Sequence, residues 1–135
     1  MNIRKLQLDD LVQYSGKVCR VTAISLDNDG KVRAVVENDD FCAFVDRVEP
    51  IPLTPEIVQR IGFELYDEEE KSYVLQVKGD DTRVLVDFKT VQPFASIRNT
   101  CYQSTLICRY LHELQHGMGV CGIFFTEKAI SKIMK

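Results

Sequence analysis

The chain has 135 residues, 45% of them hydrophobic and 27% charged, which is the make-up of a globular protein of single-domain length and excludes a disordered or fibrous one. Seventeen basic residues against twenty acidic ones leave a formal charge of -3, so no nucleic-acid partner is expected. The opening Met1-Asn2-Ile3-Arg4-Lys5-Leu6 lacks the apolar core of a signal peptide, and no run approaches the roughly 18 apolar residues of a membrane span; a cytoplasmic protein without a membrane partner is expected.

In chain order, short β-branched runs come first. Leu11 to Tyr14, Lys17 to Ser25, Lys31 to Glu37 and Phe41 to Asp46 read as strands, separated by Asp27-Asn28-Asp29-Gly30 and Asn38-Asp39-Asp40, both rich in turn formers. Strands at this spacing suggest a small barrel of the Src-homology-3-like kind, or else a meander. Next, Thr54 caps a short helix from Pro55 to Ile61, with Pro55 at its first position, Glu56 in its first turn and Gly62 closing it.

Beyond Phe63 the two-residue period returns in Glu64 to Tyr66, Ser72 to Lys78 and Arg83 to Phe88, with Tyr73, Leu75, Val77, Val84, Val86 and Phe88 on one face of an antiparallel sheet. Residues Val91 to Ile97 read as a further strand, with Pro93 marking an edge or a bulge. From about Ser104 to Met118 the period turns helical, gathering Ile107, Tyr110, Leu111, Leu114 and Met118 on one stripe. Thr126 then caps a terminal helix through Met134. The fold class is α+β and mostly β: an N-terminal barrel-like or meander region over 1–53, then a sheet with an amphipathic C-terminal helix over 54–135, with one compact domain holding both as the alternative.

Two stretches, Pro50-Ile51-Pro52-Leu53-Thr54-Pro55-Glu56-Ile57 with Gly62-Phe63, and Tyr110-Leu111-His112-Glu113-Leu114-Gln115-His116, resemble an uncharacterised family of short proteins from anaerobic gut bacteria and their prophages. The resemblance implies a phage or mobile-element context. It transfers no functional residues.

The second stretch contains His-Glu-x-x-His. On a helix, residues four apart share a face, so His112 and His116 could offer two imidazoles to one zinc ion while Glu113 acts as general base on its bound water. A catalytic zinc takes three protein ligands, and the position of a third in the longer signature is Gly122; only Cys121 and Glu127 follow as substitutes. Both histidines fall off the apolar stripe, the pattern of a solvated face.

The five cysteines, odd in number and without a Cys-x-x-Cys pair, indicate neither a disulfide framework nor a zinc knuckle. Cys108 or Cys121 beside a histidine is a weaker nucleophile candidate. The aromatics Phe41, Phe44, Tyr66, Tyr73 and Phe88 supply core bulk, or else line a ligand groove. The leading reading is a non-enzymatic binding module, without a cofactor, that meets a protein or small-molecule ligand and leaves room for a homo-oligomer. The alternatives are a minimal zinc metallohydrolase and a phage factor that sequesters a small host signalling molecule.

Overall fold

Hairpin chemistry lays out the first part of the chain. In the computed structural model, which describes residues 3–79 and 81–134, a turn of 3-10 helix at Ile3–Lys5 leads into strands Leu11–Tyr14 (β1), Lys17–Leu26 (β2), Val32–Glu37 (β3) and Cys42–Val45 (β4). They pair antiparallel in the order β1-β2-β3-β4. Ser15 and Gly16 both have positive φ, 52° and 76°, as a two-residue type I′ turn requires. Asn38 Oδ1 accepts from the amides of Asp40 at 2.8 Å and Phe41 at 3.0 Å, which turns β3 into β4.

This sheet is an open meander. The barrel-like alternative is corrected, since the sheets do not close into a barrel. Gln13 and Glu49 exchange both backbone hydrogen bonds, at 2.8 and 2.9 Å, beside the outer edge of β1. Pro50 follows directly on this isolated bridge. Cys19 and Val21 of β2, Ala34 and Val36 of β3, and Val45 of β4 share one buried cluster with Ile3, Leu6, Val12 and Val48. Past the register shift between Val21 and Ala23, the rest of β2 is exposed.

The chain divides into two compact units, the first running to Ile51 and the second spanning Pro52–Ile133. The second opens with helix Pro55–Ile61 (α1), as expected. Thr54 Oγ1 accepts from the amide of Ile57 at 3.3 Å, and Gly62 closes the helix at φ 121°. Strands Glu64–Asp67 (β5), Ser72–Gln76 (β6), Arg83–Asp87 (β7), Phe94–Arg98 (β8) and Gln103–Ile107 (β9) form an antiparallel meander in sequence order. Tyr73 and Leu75 face Val86 and Val84, which in turn face Ala95 and Ile97, so the expected apolar face is real. Pro93 marks neither an edge nor a bulge: β8 pairs on both sides, and the proline stands just before it.

The helix expected from about Ser104 is the main correction. Gln103–Ile107 is strand, and helix Leu111–Val120 (α2) begins seven residues later than Ser104. Asn99 decides this. Its Oδ1 accepts from the amides of Cys101 at 2.7 Å and Tyr102 at 2.9 Å, repeating the device of Asn38 and folding β9 back on β8. Ile107 is therefore 61% exposed, whereas Leu111, Leu114 and Met118 form the buried stripe. At the end of the chain, Thr126 Oγ1 accepts from the amide of Ala129 at 3.1 Å to start helix Glu127–Met134 (α3). Among the described residues no helix is long and apolar enough to cross a membrane.

Candidate functional site

The His-Glu-x-x-His motif occupies the first two turns of α2. Tyr110, with extended backbone at φ -129° and ψ 153°, is the N-cap, but its side chain makes no cap hydrogen bond. Glu113 supplies what is missing. Its Oε1 accepts from the backbone amides of Arg109 at 2.8 Å and Tyr110 at 3.1 Å, the carboxylate half of a capping box. A general base needs a lone pair turned toward water, and here one oxygen of Glu113 is engaged by two backbone donors.

The solvated face expected for the two histidines is corrected at His112, while His116 is half-buried. His112 is only 7% exposed, with its ring stacked on Tyr110 at 5.9 Å and 8° between planes. His116 meets it edge-on at 5.5 Å. The motif thus brings the imidazoles together, as helical spacing requires. Cys121 caps the far end of α2 and Glu127 opens α3; among the described residues, no group of three or more His, Cys, Asp or Glu side chains is placed to hold one ion. The donor set of a catalytic zinc is three protein ligands, and the arrangement supplies two.

Cys108 lies between β9 and α2, not on a helix as expected. It is fully buried, and burial, with the charge of Glu113, pushes its thiol up to about 12. A thiolate is the nucleophile in cysteine chemistry, so this environment holds the sulfur in its unreactive form.

The most open chemistry of the Pro52–Ile133 unit lies elsewhere. The amide of Leu53 donates to the carbonyl of Arg109 at 3.0 Å, and Pro52 bridges to Tyr110, so the proline-rich segment lies beside the start of α2. A groove of about 640 Å³ runs there. Its apolar lining includes Pro52, Leu53, Phe88, Val91 and Pro93, and its cationic lining is Lys71 and Arg109. Val91 is fully exposed, and Phe88 is steadied by an edge-to-face contact with Tyr73 at 5.8 Å. With its amide oriented to suit both groups, the Gln92 carbonyl accepts from the Arg109 guanidinium, which holds that cation at the groove.

The five aromatics, read as core bulk or else as a groove lining, divide between the two units. Phe41 packs on Tyr14 and Phe44 lies under the Arg33 guanidinium, both in the first unit, while Tyr66 is exposed on β5. Phe88 alone lines the groove of the second unit. Lys71, Val91, Gln92 and Arg109 escaped the sequence reading, and the available signal was an exposed apolar residue inside an irregular, proline-bearing connection.

These features define an α+β protein of two open antiparallel meanders, the second carrying a cation-bearing apolar groove. No family model matches the chain, and no curated protein or solved structure matches it either.

Proposed function

We propose that the protein is a non-enzymatic binding module that takes its ligand in the groove of the Pro52–Ile133 unit. The observation that supports this reading is the apolar wall formed by Phe88, Val91 and the prolines, with Val91 left entirely in water. Covering such surface returns about 25 cal/mol per Å², which makes it the natural place for a ligand to gain affinity. The use of Glu113 as a helix cap favours binding over hydrolysis. By its resemblance, such a module would belong to a prophage or another mobile element.

The test is a nitrogen-15 NMR titration of the full chain with a neutral apolar probe, N-phenyl-1-naphthylamine. Saturable shifts are expected at the amides of Lys71, Val91, Gln92 and Arg109, with their loss in Val91→Glu. Shifts confined to other surfaces, or none at all, would remove the groove from the account.

A further inference from the structure

The groove has a charge character that the bare binding reading does not use. None of the described residues lining it is acidic, and both of its ionic side chains, Lys71 and Arg109, are exposed cations. The nearest acidic neighbour in sequence, Glu70, is taken by Lys89 at 2.9 Å. Among the described residues, neither the Lys71 ammonium nor the Arg109 guanidinium is ion-paired with a carboxylate, and Glu113, the acidic residue nearest Arg109 in sequence, turns its oxygen onto the backbone amides of Arg109 and Tyr110. Two cations beside an apolar wall are complementary to one class of molecule: an apolar body that carries an anionic group.

The backbone around the groove decides between a small ligand and an added peptide strand. Pro52, Pro55 and Pro93 line it without N–H groups. The amide of Leu53 is already given to Arg109, and the carbonyl of Pro93 already accepts from Cys108 at 3.0 Å. Strand addition relies on a continuous run of main-chain hydrogen bonds, which these prolines and engaged groups interrupt. Side chains must therefore supply the recognition. A volume of about 640 Å³ suits a single small molecule, within the roughly 300–1,000 Å³ usual for such sites.

We infer that the groove binds a small amphipathic anion, its apolar body against Phe88, Val91 and Pro93 and its charged group between Lys71 and Arg109. This rests on the groove being the binding site. The charged group is a carboxylate or a phosphate, since a guanidinium and an ammonium serve either.

Two probes with nearly the same aromatic body separate the inference from the reading beneath it: 1-anilinonaphthalene-8-sulfonate, which is anionic, and N-phenyl-1-naphthylamine, which is not. The sulfonate is expected to bind roughly tenfold more tightly or better, the equivalent of about 1.4 kcal/mol. That preference should collapse in the Lys71→Asn, Arg109→Gln double variant, the sulfonate losing roughly tenfold more affinity than the neutral probe. Both positions are exposed, and asparagine tolerates the positive φ of residue 71, so the fold is preserved.

Octanoate and octyl phosphate then compete for the site, the stronger competitor naming the charged group. Octanol competing equally well would overturn the inference, as would equal affinity for the two probes or a sulfonate preference that survives the double variant. Binding of neither probe would sink the groove itself as a site, and the inference with it.

Discussion

Gly117 of α2 lies so close to Leu106 of β9 that a methyl group added to the glycine would stand 2.5 Å from Leu106 Cδ1 and 3.4 Å from its Cγ. The helix meets the edge strand with only a hydrogen between them. In a helix interior, alanine is favoured over glycine by about 1 kcal/mol, so the contact opposes the intrinsic preference. Gly117→Ala should therefore be less favourable in the native background than in Leu106→Ala, where it should stabilise by about 1 kcal/mol. Urea unfolding of the four proteins of the cycle measures the coupling, and equal effects in both backgrounds would show that the helix has room.

Gly119 provides the contrast on the same helix. A methyl there would meet only Phe124 Cε1, at 3.7 Å, an ordinary contact. Gly119→Ala should raise stability by up to about 1 kcal/mol through helix propensity. An unchanged or lower melting temperature would contradict this.

The two roles open to Glu113 can be told apart by substitution. As a cap, it needs an acceptor oxygen but not a charge, so Glu113→Gln should keep most of the stability while Glu113→Ala loses about 1 kcal/mol. Thermal unfolding decides the point. Equal losses in both variants would mean that the charge, not the acceptor, holds the start of α2.

The ends of α1 obey the same chemistry. Thr54→Ala removes the oxygen that accepts from Ile57 and should cost about 1 kcal/mol. Gly62→Ala forces a side chain to φ 121°, for which about 1–2 kcal/mol is the expected scale. Denaturant midpoints that stay in place for both variants would mean that α1 is held by packing alone.

Cys108 should leave a mark on the pH dependence. Its folded-state pKa is raised to about 12 from an ordinary 9.0, mainly by burial. As pH climbs past 9 the unfolded chain loses this proton while the folded chain keeps it, so the unfolded state binds fewer protons and stability falls with pH. The fall runs between about 9 and about 12, and subtracting the profile of Cys108→Ala isolates it. Parallel profiles over that range would refute the raised value.

Much of the fold was legible in the sequence because it is set by local rules. Two-residue periodicity located β1, β2, β3, β6 and β7. Thr54, Pro55 and Gly62 delimited α1, and Thr126 located α3. The failure at β9 was local as well: Asn99-Thr100-Cys101-Tyr102 makes the same turn as Asn38-Asp39-Asp40-Phe41, but the helical spacing of Leu111, Leu114 and Met118 drew the helix back over the strand that follows that turn.

The candidate site was legible only in fragments. His112 and His116 had to be neighbours on any helix, and they are. That Glu113 turns its oxygen back on Arg109 and Tyr110 depends on where the helix begins, which the periodicity misplaced. Phe88 was singled out as aromatic, while its partners Val91 and Arg109 were not.

The amino-acid sequence by itself determined most of the strands, the caps of α1 and α3 and the α+β class, because each depends on neighbours a few residues apart. Only the tertiary structure decided that Pro52 and Leu53 meet Arg109 and Tyr110, more than fifty positions away, and that Lys71 shares their groove. Side chains distant along the chain converge only when hairpin register and strand order are set, and no local spacing rule carries that information.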